Sequence, residues 1–180
     1  MRIGINASFL RKPGTGIGQV TVHCNQKLAE SVENREQPTI ILYTEEPINL
    51  TLPDNFQVRS FLPFWKRDDL VRKVLWERQV AKEAEKDGCD IFLSLYQSST
   101  VFQNPAIAHT MVVHDLIPEL FPKYQGNMRQ RYHWQRVRQA IMKAEKIIAV
   151  SNSTEHDLVA FGVDPGKIVV AYPDTSPVFR

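Results

Sequence analysis

Apolar runs that are continuous rather than alternating recur along this chain, each separated from the next by a stretch with helical spacing. Ile40-Ile41-Leu42-Tyr43, Ile91-Phe92-Leu93, Met111-Val112-Val113 and Ile147-Ile148-Ala149-Val150 are the clearest. A strand that is apolar on both sides must be covered on both faces, the condition of a parallel sheet between layers of helix. Strands of that kind alternating with helices imply right-handed βαβ units. The pattern therefore predicts an α/β fold, a Rossmann-like, doubly wound and mostly parallel sheet flanked by helices. The 180 residues suit one such domain over 1–180, with no internal repeat, low-complexity segment or linker.

Strands are expected at 2–6, 39–43, 56–61, 90–94, 108–113, 146–150 and 167–171. Val20, Cys24, Leu28 and Val32 recur every four residues and share one helix face. Asp68 and Asp69 can cap a second helix that Gly88 stops. A third runs from about Gly126 to Ala144, and Ser151 or Ser153 caps a fourth that ends near Gly162.

Composition removes several classes of function. With 43% hydrophobic and 23% charged residues, the chain is globular. Twenty-two Lys+Arg against 20 Asp+Glu leave a net charge of +2, too weak a field to make nucleic acid an expected partner. Cys24 and Cys89 are too few for a disulfide framework. No Cys/His cluster has metal-ligand spacing, so no metal is expected. The first ten residues lack a signal-peptide pattern, and no run approaches the roughly 20 apolar residues that cross a bilayer. A soluble cytoplasmic protein is the expectation.

Four segments could carry chemistry. In open parallel sheets, ligands bind beyond the carboxyl ends of the strands. Gly14, Gly16 and Gly18 follow the first strand and precede a helix, so bare backbone there could approach a phosphate at the helix N-terminus. The spacing is neither Gly-x-Gly-x-x-Gly nor a Walker loop. Read alone, the loop is equally a turn that needs positive φ. His114-Asp115 ends the 108–113 strand at the same edge. Its imidazole could bond a substrate, with Asp115 fixing the tautomer or capping the next turn. Alternatively, His114 is a packed residue with a satisfied hydrogen bond. Tyr96, Gln97, Ser98 and Ser99 suit a polar acceptor or an ordinary surface loop. The 126–144 helix carries Arg129, Arg131, Arg136, Arg138 and Lys143 and no acid, while Trp134, Val137, Ile141 and Ala144 form its core-facing arc. Its cations suit acceptor phosphates, an anionic membrane or plain solvent.

The order of the pieces is more informative than any one of them. Met1-Arg2-Ile3-Gly4-Ile5-Asn6-Ala7, then Pro13-Gly14-Thr15-Gly16-Ile17-Gly18, then His114-Asp115-Leu116-Ile117-Pro118 with Phe121-Pro122 come in sequence. Ile148-Ala149-Val150-Ser151-Asn152-Ser153 and Gly162-Val163-Asp164-Pro165-Gly166-Lys167-Ile168-Val169-Val170 continue the series. Together, across essentially the whole chain, they resemble the N-terminal domain of the family-4 retaining glycosyltransferases of GT-B fold, in the mannosyltransferase-like branch. One departure stands out. The family commonly reads Pro-Asn-Gly-Val-Asp after the last strand, where this chain reads Pro173-Asp174-Thr175-Ser176-Pro177.

The resemblance implies a two-domain enzyme that transfers a sugar from a nucleotide-sugar donor to a hydroxyl acceptor on a glycan or lipid, without a metal. On that pattern Gly14, Gly16, Ile17 and Gly18 approach the donor diphosphate. His114, with Asp115 beside it, hydrogen-bonds the donor sugar, and Tyr96, Gln97, Ser98 and Ser99 meet the acceptor. The C-terminal nucleotide-sugar-binding domain is absent from this sequence. The chain is thus expected to be an excised domain or half of a split enzyme, inactive alone and completed by that domain or a partner chain. Peripheral contact with the inner membrane face through the 126–144 helix is a further expectation. Two other functions fit the same residues: a non-catalytic binding module, and half of a GT-B-fold nucleotide-sugar epimerase.

Overall fold

A computed structural model describes residues 1–31, 38–48, 51–62, 64–67 and 69–173. Val32, Asp68 and the departure at 174–180 lie outside the described residues. Seven strands form one sheet: β1 (Arg2–Asn6), β2 (Thr39–Thr44), β3 (Phe56–Ser60), β4 (Ile91–Ser94), β5 (Ala108–Val113), β6 (Lys146–Ala149) and β7 (Ile168–Val170). Their order is β3-β2-β1-β4-β5-β6-β7, and every neighbouring pair is parallel. The Rossmann-like α/β sheet expected from the apolar runs is the one observed. β3 fits its edge position: only Phe56 is buried there, and the next four residues face solvent.

The helices are α1 (Gly16–Ser31), α2 (Leu70–Lys86), α3 (Ile117–Leu120), α4 (Met128–Lys143) and α5 (Asn152–Ala160). Side chains alternate across the strands, so each strand feeds both layers. On one face Ile5, Ile40, Leu42 and Val112 pack with Cys24, Leu28 and Ala29 of α1. On the other, Ile41, Tyr43 and Phe92 meet Trp76, Val80 and Ala84 of α2. Further along, Met111, Val113, Ile147 and Ala149 meet Trp134, Val137 and Ile141 of α4 and Leu158 of α5. Each large side chain so buried contributes roughly 1.5–3 kcal/mol.

Local signals set the helix ends. The Asp69 carboxylate accepts the Val71 and Arg72 amides at 2.9 and 3.2 Å and starts α2. Gly88 ends it in a left-handed conformation at φ 64°. Asn127 and Gln130 form a reciprocal capping box on α4. Of the two serines that could cap α5, Ser151 does so, accepting the Thr154 amide at 3.1 Å. Three 3₁₀ turns, Ser8–Arg11, Pro122–Gln125 and Pro165–Lys167, and the one-turn α3 carry no periodic signal and were not expected.

For function, the strand order matters most. The chain builds outward from β1 through β2 to β3, then returns to place β4 on the opposite side of β1. The connections therefore diverge between β1 and β4, the switch point where open α/β sheets leave a crevice.

Candidate functional site

All seven carboxyl ends share one edge, because every strand is parallel. The glycine turn follows β1 and His114 follows β5, with only β4 between them, about 10 Å at the usual strand spacing. The loop after β4 ties the two together. The Asn6 amide donates to Tyr96 Oη at 3.1 Å, and its oxygen accepts from Trp76 Nε1 at 3.0 Å and from the Ser8 amide at 3.3 Å. Phe9 stands edge-on to Tyr96, ring centres 4.9 Å apart. On the other side, His114 Nε2 lies 3.0 Å from the Leu95 carbonyl, and Gln97 Nε2 donates to the Asp115 carbonyl at 2.5 Å.

A carbonyl only accepts, so His114 Nε2 carries a proton, and in an uncharged ring that leaves Nδ1 as the acceptor. The backbone of Leu95 fixes that tautomer, not Asp115. The Asp115 carboxylate instead accepts the Ile117 amide at 3.0 Å in the turn that leads into α3, whose N-cap position is Leu116 with no side-chain cap. Thr154 Oγ1 donates to the His114 carbonyl at 3.2 Å, anchoring the residue to α5.

The glycines separate into two kinds. A Cβ on Gly18 would lie 1.9 Å from the Lys12 carbonyl oxygen, and the Gly18 amide already donates to Thr15 Oγ1 at 3.1 Å. Gly18 is thus committed to the turn itself rather than presenting a free amide. Cβ atoms on exposed Gly14 and Gly16 would meet nothing within 4 Å, and neither has a positive φ. The amides of Gly16 and Ile17 open α1 and have no earlier helical turn to bond. The positive-φ reading of the turn is therefore incorrect for all three glycines.

The loop after β4 departs from its expected role as a surface for an acceptor. Tyr96, Ser98 and Ser99 are buried, and only Gln97 is half-exposed. Ser98 donates to Ser94 Oγ at 3.1 Å, and Ser94 Oγ pairs with His109 Nε2 at 2.9 Å. Burial lowers the His109 pKa to about 4. Ser99 gives both its amide (3.0 Å) and its hydroxyl (2.5 Å) to the carboxylate of Glu77, which is 1% exposed. Burial raises the Glu77 pKa, but the His133 ring, the Lys73 charge and the Ser99 hydroxyl outweigh it and leave the pKa below the usual range. The Ser98 hydroxyl thus serves a buried hydrogen-bond chain and the Ser99 hydroxyl a buried charge, both inside the domain.

Lys73, Trp76 and Asn6 were not singled out from the sequence. Asn6 ends a strand and Trp76 sits in a helical apolar row, so neither announces a polar role. Lys73 Nζ lies 4.8 Å from the Tyr96 ring centre. On α4 the expected arc of Trp134, Val137 and Ile141 is buried, while Arg129, Arg131, Arg138 and Lys143 are exposed and Arg136 half-exposed. Arg138 reaches Glu119 at 3.5 Å and stacks over Phe161 at 5.1 Å. Exposed Phe121, Tyr124, Met128 and Tyr132 adjoin this basic face in sequence. Cys24 on α1 is half-exposed. Among the described residues, no helix is long and apolar enough to cross a membrane, and no three His, Cys, Asp or Glu are grouped to hold a metal ion.

The sequence profile of Glycosyltransferase Family 4 matches residues 18–173. The chain belongs to that family. The family stretch opens at Gly18, so Gly14, Gly16 and Ile17 precede it. No curated protein matches the sequence. Among solved structures, the chain is similar to the lipopolysaccharide outer core galactosyltransferase WaaB in its apo form, at 12% identity and TM-score 0.55, over 98% of this chain and 46% of that one. It is also similar to Anabaena Alr3699/HepE in complex with UDP and glucose, at 14% identity and TM-score 0.51, over 98% and 47%. A glycosyltransferase from Rickettsia africae matches at 13% identity and TM-score 0.48, over 95% and 42%. The family 4 chain thus spans less than half the length of these proteins, and its seven-stranded sheet has the fold of the corresponding part of WaaB and Alr3699/HepE.

Proposed function

We propose that this chain is the acceptor-side, N-terminal domain of a retaining glycosyltransferase. It would serve the transfer of a hexose, mannose in the first instance, from a nucleotide sugar to a hydroxyl acceptor on a glycan or lipid. One observation carries the reading: in a family 4 chain, the free-ended amides of α1 and the imidazole of His114 open on the same sheet edge, flanking the switch point. The Gly16 and Ile17 amides and the helix dipole suit a diphosphate. Nδ1 of His114 suits a donor-sugar hydroxyl. These preorganised groups supply the electrostatic stabilisation of the leaving phosphate, with no resident metal in the scheme.

In this reading a second Rossmann-like domain, from the same protein or a partner chain, closes the cleft and holds the nucleotide, and the present domain alone does not turn over. Because Alr3699/HepE is seen with UDP and glucose, UDP-hexoses join GDP-mannose among the first donors to screen. The exposed cations of α4, with Phe121, Tyr124 and Tyr132 nearby, support peripheral contact with an anionic inner membrane face.

The test is a donor screen on the full-length protein with mass spectrometry of the products. The reading predicts a glycoside whose new bond keeps the donor's anomeric configuration, and turnover at least a hundredfold lower in His114→Ala. Release of nucleotide and free sugar alone would favour the epimerase, and no turnover of any donor would favour a binding module.

A further inference from the structure

A cavity of about 240 Å³ lies at the switch point, lined among others by Ser8, Phe9, Lys12, Lys73, Tyr96 and Gln130. It draws its walls from the segment after β1, the loop after β4, and the N-terminal turns of α2 and α4. At about 30 Å³ per water it holds roughly eight water volumes, room for a charged substituent and part of a sugar ring. We infer that this cavity is a subsite for an anionic group, phosphate or carboxylate, carried by the acceptor and held by the Lys73 ammonium. The assignment to the acceptor rests on the transferase reading above.

The charges around the cavity support this. Its two carboxylates are committed elsewhere. Glu45, 4% exposed, receives Arg72 Nε at 2.5 Å and Arg11 Nε at 3.3 Å, and Asp69 caps α2 while accepting Trp65 Nε1 at 3.0 Å. Lys73 is held only loosely. Its Nζ is 3.5 Å from the Gln97 carbonyl and 3.9 Å from Glu77 Oε1, both long for a charged hydrogen bond. The Ser99 amide and hydroxyl and, at 3.7 Å, His133 Nε2 all face Glu77 Oε2, and Oε1 on the Lys73 side makes no hydrogen bond, so Lys73 and Glu77 meet only at ion-pair distance. About a third of the Lys73 side chain stays accessible, with the Tyr96 ring as its backing. Burial pulls the Lys73 pKa down and Glu77 only partly restores it. An incoming anion would supply the missing compensation. Half-exposed Phe9 offers an apolar edge to the ring that bears the anion.

The donor diphosphate is the other anion that could reach this edge, and the test separates the two. Full-length protein is titrated calorimetrically at low salt with glucose, glucose 6-phosphate and glucuronate, with and without saturating UDP. We expect both anionic sugars to bind at least tenfold more tightly than glucose, and UDP to leave that preference intact. Lys73→Met should abolish the preference without changing UDP affinity, and Lys73→Arg should keep it. Equal binding of glucose and the anionic sugars by the wild type overturns the subsite whether or not the variants fold. Competition by UDP assigns the cavity to the donor and overturns it too. Donor turnover is scored separately: a protein that keeps the Lys73-dependent preference but turns over no nucleotide sugar sinks the transferase reading and leaves the anion site.

Discussion

Gly18 and Gly16 sit two residues apart in one turn, yet the structure assigns them opposite reasons for lacking a side chain. In Gly18→Ala the new Cβ would meet the Lys12 carbonyl oxygen at 1.9 Å and its carbon at 2.8 Å. Both are backbone, so no rotamer change relieves the clash and the turn must move. With only backbone in the way, the upper part of the overpacking range applies, about 2–3 kcal/mol, and a gain of about 1 kcal/mol in helix propensity leaves a net loss of about 1–2 kcal/mol. At about 2–4 °C per kcal/mol for a chain of this size, Tm should fall by about 2–8 °C. In Gly16→Ala the Cβ enters open space, so stability should hold or rise slightly. On the proposed function, donor affinity in the full-length protein should drop, because the methyl group projects where the proposed phosphate contact lies. Urea unfolding followed by circular dichroism measures the first effect and calorimetry with UDP the second. If Gly18→Ala is as stable as the parent, or Gly16→Ala is the less stable of the two, the division of labour argued for this turn is wrong.

Two other outcomes are expected. His109, buried with its pKa lowered to about 4, resists protonation in the folded state, so its contribution is intact above the unfolded value near 6.5. As pH falls from 6.5 towards 4, that contribution is lost, about 3 kcal/mol in all. Urea midpoints across this window should decline more steeply in the parent than in His109→Gln, and parallel curves would show that His109 does not titrate as argued. Ser99→Ala removes a hydroxyl from the buried Glu77 carboxylate and should cost about 1.5–3 kcal/mol by urea unfolding, whereas a change under 0.5 kcal/mol would mean that carboxylate is satisfied without it.

The fold was largely legible in the residues, because doubly buried strands leave unbroken apolar runs and α2 and α5 carry their own punctuation at Asp69, Gly88 and Ser151. Those are local signals, and they survive folding. What escaped was chemistry made by juxtaposition. Lys73 and Tyr96 stand 23 positions apart, and only the crossover from α2 into β4 stacks them. Asn6 and Trp76 are joined across 70 residues. The Tyr96–Ser99 stretch reads as a polar surface loop, since a sequence does not reveal that Glu77 lies behind it and draws the Ser99 hydroxyl inward. The glycine turn was legible as a turn at the correct edge. Its internal division was not, because the clash at Gly18 depends on where the Lys12 carbonyl points.

The central claim is that the imidazole of residue 114 and the head of α1 face one nucleotide-sugar site. It is tested most directly by histidine-selective NMR of the full-length protein during titration with the donor that the screen identifies. His114 ring signals should shift in step with binding and keep Nε2 as the protonated nitrogen, while those of exposed His156 on α5 stay in place. Saturation by the donor with an unmoved His114 would contradict the claim.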